Sequence, residues 1–478
     1  MMNTIKTKIL IFVSMCILLI LNSCAPTKEI RKENTKVPET YADKSLDSLN
    51  TVNTKWRTFF SDTNLISLID TALMNNQELN MMLQKVDMFK NTIQAKKGAY
   101  LPFVTATGGV EIGKVGKYTR NGAVEENLSI DEKKFPDPLN NYSVGLSASW
   151  ELDIWKKLRN EKKVAVYEYL SSVEGKNFMI TNLVAEIADT YYELMALDNQ
   201  LGITQQNLKI QQNALKIVKV QKEAAKTTEL AVRRFTAEVL KTSSEKFEIE
   251  QKIVVTENKI NFLIGKSPQL VPRKSNDFLA IDIDTIYTGL PAQLLQNRTD
   301  IKKAEFELEA SKLNTKIARA NFYPSLGLTA GVGLESFKTI FLTKTPASVA
   351  YSFAGDFIGP LINRNAIKAT YKNANKRQLQ AVFDYEKTIL NAYFEVAKEL
   401  SNIKNLKEIY ALKQRQVKAL TESIEISARL FTSARANYLE VLLTQREALE
   451  AKIALVEIKK EQLMANIHIY TALGGGWN

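Results

Sequence analysis

Few residues of this chain could do covalent or metal chemistry. In 478 residues there is one histidine, His468, and there are two cysteines, Cys16 and Cys24. His468 sits in the last helical stretch and reads as a packed or polar helix residue. Residues 113–119, GKVGKYT, carry the glycines and lysine of a phosphate loop. Tyr118, however, stands where such a loop needs the Ser or Thr hydroxyl that binds magnesium, so a strand running into a loop is expected. Asp277, Asp282 and Asp284 offer carboxylates without the spacing or the glycine of a calcium loop, and they read as part of a strand or loop. No catalytic constellation emerges, no cofactor is implied, and the chain is not expected to be an enzyme.

The remaining candidate is Cys24. Lys6 and Lys8 precede an apolar run at 9–21, ILIFVSMCILLIL, too short to span a bilayer but suited to a signal-peptide core. Leu21-Asn22-Ser23-Cys24 follows and resembles a bacterial lipobox, although Asn22 is less usual than a small residue at that position. Cleavage before Cys24 removes residues 1–23 and lowers the net charge from +12 to +10, since two lysines and no acids are lost. It leaves a triacylated Cys24 as the sole cysteine. No disulfide or cysteine-based metal site can then form. Lys and Arg read as scattered among Asp and Glu, with no basic block, so nucleic acid is not expected as a partner.

The elements that position any function come from a hidden repeat. At an offset of 209, Tyr142-Ser143 falls on Tyr351-Ser352, Glu186 on Glu395, Val232 on Val441 and Gly265 on Gly474. Upstream the offset is 222, with Asn75 on Asn297 and Pro102 on Pro324. A period near 200 residues is a domain duplication rather than a solenoid. Each half reads helix, strand, loop, strand, helix, turn, helix. The strands are expected at about 103–113, 141–152, 325–335 and 349–360, with loops at 114–140 and about 337–346. The chain divides into a signal peptide (1–23), an N-terminal extension (24–62), a first repeat (63–265), a linker (266–289), a second repeat (290–474) and a short tail (475–478).

All four strands alternate strictly. In NYSVGLSASW (141–150), Tyr142, Val144, Leu146, Ala148 and Trp150 alternate with Ser143, Gly145, Ser147 and Ser149. Tyr142 and Trp150 lie eight residues apart on one face, roughly 26 Å at about 3.3 Å per residue. That matches an apolar band about 25 Å tall with aromatic girdles, and Tyr351 is assigned to the same girdles. The apolar faces therefore meet lipid. Four strands cannot close a useful barrel, and open edges in hydrocarbon leave backbone groups unpaired, so several copies must share one barrel. Composition does not give their number.

After the second strand, Leu183, Ile187, Thr190, Leu194, Leu197, Leu201, Thr204, Leu208, Gln211, Leu215 and Val218 alternate spacings of four and three, a heptad seam. Residues 156–225, if continuous, extend roughly 100 Å at 1.5 Å per residue. The polar members of the seam fit neighbours on both sides or a water-facing wall. Helix turns are expected near 225–228 and 434–437.

These residues resemble the TolC-like outer-membrane channels of efflux pumps, in particular the lipidated NodT/OprM type that serves RND transporters. Trp56, Phe60, Asp62, Leu65, Leu68, Ala72, Leu73, Asn76 and Leu79 match the family's opening helix. Leu290-Pro291, Leu294-Leu295, Arg298, Asp300 and Ile301 match the start of its second repeat, with Thr299 replacing the usual Pro. Asn321–Leu326 (NFYPSL), Tyr438–Leu442 (YLEVL) and Leu473–Trp477 (LGGGW) match further motifs. The resemblance spans roughly 24–478.

It implies an α+β membrane protein with an internal two-fold repeat. Three chains, four strands each, would form a 12-stranded β-barrel continuous with a long α-helical coiled-coil tunnel, in the outer membrane of a Gram-negative bacterium and extending into the periplasm. The implied role is passive exit of small molecules such as drugs, toxic compounds or metals, handed over by an inner-membrane RND transporter and a periplasmic adaptor. Loops 114–140 and 337–346 would be extracellular, and the linker would belong to an equatorial belt. The resemblance also implies an acidic ring at the constricted tunnel end, carried here by Glu440, with Arg435 able to pair with an acid across a closed tip. A second acid often stands three positions on, where this chain has Leu443, and the usual turn glycine is Ala434. The nearest alternative is a channel for ABC-driven type I protein secretion. A periplasmic adaptor would carry one hairpin between lipoyl-like halves, and a coiled-coil lipoprotein would lack the strand pairs.

Overall fold

The computed structural model describes residues 31–41, 54–130, 132–282, 287–433 and 435–477. The signal segment, Cys24, Asp284 and Ala434 lie outside them. The principal elements are α1 (Thr63–Asn75), α2 (Gln77–Ala99), β1 (Phe103–Gly113), β2 (Leu139–Leu152), α3 (Lys157–Glu223), α4 (Glu229–Leu263), α5 (Thr299–Ala320), β3 (Ser325–Ser336), β4 (Val349–Ile358), α6 (Asn365–Thr432) and α7 (Tyr438–Ala472). β1 ends at Gly113 and leads into a loop, as GKVGKYT suggested, and Thr119 then caps a short helix, Arg120–Asn127. The other interstrand loop holds one helical turn, Thr339–Leu342.

The duplication is visible in the elements and in their bonding. α4 and α7 are each 35 residues long and start 209 apart. Thr228 and Asn437, also 209 apart, cap them by accepting backbone N–H groups on their side chains. Asn76 Nδ2 donates to the carbonyl of Leu263 at 2.9 Å, and Arg298 Nη1 donates to the carbonyl of Ala472 at 2.9 Å. These donors stand 222 apart and their acceptors 209, so both offsets meet in one joint. Gly265 and Gly474 have φ of +67° and +103°, a region open mainly to glycine. A Cβ on Gly265 would lie 2.6 Å from the Asn75 carbonyl oxygen, and one on Gly474 2.8 Å from that of Asn297.

The chain forms two compact units, and both draw on both repeats. The sequence repeat is therefore not a spatial domain. The first unit, chiefly Asp87–Leu170 and Phe306–Phe383, holds the sheet. Its strands run β1-β2-β3-β4, each antiparallel to the next, so β1 and β4 are the two edges.

The second unit, chiefly Glu33–Val86, Ser171–Glu305 and Asp384–Asn478, holds an apolar core where α1, α3, α4 and α7 meet. Leu65, Ile69, Ile187, Tyr191, Leu194, Ile260 and Tyr470 are fully buried there. The linker is strapped to this core. Arg273 donates to Asp198 on α3 and Glu257 on α4, and Phe278 is buried in the 3₁₀ turn Ser275–Ala280. Asp277 lies in that turn and Asp282 follows it.

Charge is less evenly spread than the sequence suggested. Residues 156–163 hold five basic residues and one acid, and residues 364–377 hold five basic residues and no acid. Both runs lie where a long helix leaves the sheet. α2, α4, α5 and α7 each carry an acid in the first turn, whereas α1, α3 and α6 carry none there, although Asp62 caps α1 and the Asp153 carboxylate accepts from the Leu158 and Arg159 N–H groups that open α3. Cations at a helix N-terminus oppose the macrodipole, typically by about 0.3–1 kcal/mol each. Helix stability does not account for the placement.

Arg298 is the most heavily paired of the buried cations. Burial works against its charge, but bidentate bonds to Asp300 and a 2.7 Å contact to Glu395 more than offset this and hold the guanidinium above its usual pKa. Arg298→Met leaves Asp300 without its partner and frees the last carbonyl of α7. It is expected to destabilise the fold by about 3 kcal/mol, the scale for breaking a buried pair, as a lowered thermal midpoint. Asn76→Ala should cost about 1 kcal/mol, the scale of a lost cap.

Candidate functional site

In the antiparallel register, directly opposed residues share a face. Val104, Ala106, Gly108, Val110 and Ile112 of β1 are therefore level with Ala148, Leu146, Val144, Tyr142 and Asn140 of β2. Leu326, Leu328, Ala330, Val332 and Leu334 of β3 join that face, followed by Phe357, Gly355, Phe353, Tyr351 and Val349 of β4. Four strands thus present one nearly unbroken apolar surface, and it is open: Val110 is 64% exposed, Phe353 75% and Tyr351 85%. A monomeric soluble protein rarely leaves so large an apolar patch uncovered. The opposite face carries Thr105, Thr107, Ser143, Ser147, Ser149, Thr329 and Ser352, with Glu111 and Glu335 toward one end and Glu151 and Asp356 toward the other.

Tyr142 and Trp150 stand near opposite ends of the apolar face. Trp150 Nε1 donates to the Tyr100 carbonyl at 3.0 Å, so its polar handle is satisfied. Tyr351 opposes Val332, which opposes Leu146, midway between Tyr142 and Trp150. Across the strands Tyr351 therefore lines up with Leu146, between the positions of Tyr142 and Trp150. The reason is strand register, which alternation within one strand cannot supply. Phe357 lines up with Leu152, beside Trp150, a neighbour that the within-strand pattern could not reveal.

In the helical unit, α3 runs antiparallel to α7. Asp189 contacts His468 at 2.8 Å, Glu193 contacts Lys460 at 2.6 Å and Gln200 Nε2 donates to Glu457 at 3.3 Å. Toward the tips, Val218 of α3, Val232 and Phe235 of α4 and Leu442 of α7 form a small core. The seam's polar members are buried: Thr190 5% exposed, Thr204 0% and Gln211 1%. Neighbours on both sides therefore enclose them, and the water-facing alternative does not hold. Both amide atoms of Gln211, the Thr204 hydroxyl and Gln445 Oε1 of α7 make no hydrogen bond among the described residues. A polar layer inside an apolar seam lowers stability and fixes register.

The two tips differ in charge. At the first, Glu229 accepts from Lys222 and Arg233, both at 2.7 Å. At the second, Glu440 stands exposed in the first turn of α7, its N–H bound to Asn437 Oδ1 at 3.1 Å. Arg435 is exposed nearby, with its N–H bound to the Leu430 carbonyl. Among the described residues, neither side chain forms an ion pair within the chain. The first-turn position already suits a carboxylate, which complements the macrodipole there.

The comparisons with known proteins match this architecture. The family model described as "Outer membrane efflux protein" matches residues 68–266 and 290–475, and the break between them falls on the linker. The cation efflux system protein CusC of Escherichia coli O6:H1 is 27% identical over 469 residues, 97% of this chain and 98% of that protein. The pyoverdine export outer membrane protein OpmQ of Pseudomonas putida is 27% identical over 425 residues, 88% of each. The toluene efflux pump outer membrane protein TtgI of Pseudomonas putida is 28% identical over 439 residues, 90% of this chain and 89% of that protein. A crystal structure of CusC superposes with a TM-score of 0.81 at 26% identity, covering 94% of this chain and 99% of that one. The open-state MtrE channel of Neisseria gonorrhoeae gives 0.82 at 23% identity, covering 95% and 99%, a likeness of fold.

This chain belongs to the outer membrane efflux protein family. Its fold is that of the trimeric outer-membrane channels with a β domain and a helical tunnel. It is an efflux channel of the outer membrane and not an enzyme. Arg298 and Asp300, which carry part of the family motif, serve here as a structural clamp. Thr299 in place of Pro leaves that clamp intact.

His468 also has a structural role. Its hydrogen bond to Asp189 raises its pKa, partly opposed by burial; Glu399 adds to the rise and Lys398 subtracts from it. Stabilisation from this contact should be complete below about pH 6.5, the unfolded value, and disappear as pH rises through the higher folded value. His468→Gln should narrow the difference in thermal midpoint between mildly acidic and mildly alkaline buffer. An unchanged difference would place the titration elsewhere.

Proposed function

We propose that this protein is the passive outer-membrane duct of a tripartite efflux system, a homotrimer whose three four-stranded sheets share one barrel. The observation that carries this reading is the sheet itself: one face almost wholly apolar and exposed, with both edges unpaired among the described residues. In hydrocarbon each unpaired backbone group costs several kcal/mol, and pairing β1 of one copy with β4 of the next removes both edges at once. Small molecules would be handed to the helical tunnel by an inner-membrane RND transporter through an adaptor that meets the hairpin tips. The relatives' named cargoes, cations, pyoverdine and toluene, share little chemistry. That spread supports a duct that leaves selection to its partner.

Cys24 is assigned as the lipid anchor. Arg31, seven residues on, holds α6 through its carbonyl, which accepts from Gln378 Nε2 at 3.2 Å, and through its guanidinium, 4.5 Å from the Phe383 ring centre. Seven extended residues reach at most about 25 Å. Gln378 lies about 20 Å along α6 from the helix start at Asn365, at 1.5 Å per residue. The tether is long enough for the acylated Cys24 to return to the start of α6, on the side of the sheet. Glu440 is assigned to a carboxylate ring at the closed end, with Arg435 as its counter-charge from a neighbouring copy, since neither is neutralised within its own chain.

Val332→Lys, in the middle of the apolar face, should cost about 2–4 kcal/mol in the bilayer and abolish the heat-modifiable trimer band. Thr329→Lys, on the opposite face, should leave that band intact; equal effects would refute the assignment of faces. In single-channel recordings Glu440→Gln should change conductance and weaken cation preference, whereas Glu229→Gln should do neither. No change with Glu440→Gln would remove this residue from the gate.

A further inference from the structure

Of the ten basic residues of 156–163 and 364–377, Arg159 pairs with Asp153 and Arg364 donates to the Phe322 carbonyl; the other eight have no use in the duct as described. Together the two runs carry net charges of +4 and +5, so 22 residues hold +9 of the chain's +12. Arg364, Lys368, Lys372 and Lys376 follow one another at intervals of four, one cation per turn on a single stripe of α6. Like charges at that spacing repel and weaken a helix by themselves. Lys368, Lys372, Lys376 and Arg377 are all exposed, and among the described residues none of them forms an ion pair. Arg364, at the head of the stripe, donates to the Phe322 carbonyl at 3.0 Å, and among the described residues the cations that follow it gain no such partner to offset their repulsion.

The surroundings indicate what lies against it. β2 and β4, whose apolar faces meet lipid, end directly before these runs. The connecting residues are apolar and exposed: Ile154, Trp155, and above all Leu361 at 73% and Ile362 at 89%. Trp155 stacks on Tyr323 with ring centres 4.6 Å apart and donates to the Pro324 carbonyl at 2.7 Å. That is the amphipathic arrangement of aromatic residues at a membrane–water boundary. A cavity of about 510 Å³ opens at this level, lined by Trp155, Lys157, Ile358, Pro360 and Ile367. Apolar rings and exposed aliphatics are thus followed within one or two helical turns by a row of cations.

We propose that this junction is a binding collar for anionic phospholipids of the periplasmic leaflet, with the phosphate heads on the Lys368–Lys372–Lys376–Arg377 row and the acyl chains along the apolar face and the Trp155 cavity. Clusters of four to eight Lys or Arg next to a membrane segment bind anionic headgroups in this way. The collar continues the lipid-facing surface, its charge is opposite to that of phosphatidylglycerol or cardiolipin, and no acid stands within residues 364–377 to oppose it. In a trimer it would recur three times around the barrel. The inference rests on the reading that the sheet lies in hydrocarbon.

The test uses the full-length processed protein reconstituted first in pure phosphatidylcholine bilayers and then in equimolar phosphatidylcholine and phosphatidylglycerol. Lipid that remains bound after mild detergent extraction is quantified by mass spectrometry. Phosphatidylglycerol should be enriched on the order of fivefold at low salt, and the enrichment should fall toward unity at high salt as the charges are screened. A quadruple variant, Lys368→Gln, Lys372→Gln, Lys376→Gln and Arg377→Gln, keeps helix-forming side chains and should lose the enrichment while still inserting. Equal retention of both lipids by the unaltered protein overturns the proposal. So does enrichment that survives high salt or the quadruple change, or retention only of added lipid A or inorganic phosphate. Failure to insert into phosphatidylcholine alone overturns the membrane reading beneath it, and that outcome is distinct because insertion there needs no anionic lipid.

Discussion

A backbone N–H or C=O with no partner cannot be left in hydrocarbon, and most of this structure follows from that constraint. The sheet satisfies its interior groups through β1-β2-β3-β4 pairing and leaves two edges. Its apolar face has no helix or second sheet to cover it in the first compact unit, so the covering medium must be lipid and the edges must be closed by further copies. The small residues of the other face, Ser, Thr and Gly, suit a wet lumen, because they leave room and offer hydroxyls without bulk.

The helical part obeys a different constraint. Long helices with a heptad seam hold register only if something interrupts the slide of one apolar surface along another. Two devices do this. Polar side chains buried in the seam, Thr204 and Gln211 on α3 and Gln445 on α7, make a shifted register costly. The paired joints, Asn76 on the Leu263 carbonyl and Arg298 on the Ala472 carbonyl, pin the end of each hairpin to the start of its own repeat. Arg298 anchors more firmly than Asn76 because it also holds two carboxylates. The duplicated joints have thus diverged in strength while keeping their geometry. The tips have diverged as well: Glu229 is neutralised by its neighbours, whereas Glu440 and Arg435 form no ion pair among the described residues.

Charge placement marks the boundary between these two regimes. Where apolar strands give way to solvated helices, the chain sets exposed aliphatics, a Trp–Tyr stack and then cations in succession. A bilayer shows the same succession from its core outward: hydrocarbon, then interface, then phosphate.

Much of this was legible in the residues. Strict alternation gave all four strands to within two residues at either end, since the side-chain period of a strand is a local property. The 209 offset related the two helix turns, near 225–228 and 434–437, because a duplicated sequence must solve the same turn twice; that Thr228 and Asn437 cap the helices after them came from the structure. The heptad seam identified the buried face of α3. What tertiary structure alone decided was which strands neighbour one another and in what register, and this set Tyr351 in line with Leu146 and Phe357 in line with Leu152, beside Trp150. It also decided that Arg298 is a clamp, and that ten basic residues separated by 200 positions belong to one end of the sheet. Period and propensity act over a few residues and can be read along the chain. Register, joints and pooled charge depend on segments far apart in sequence, and only packing brings them together.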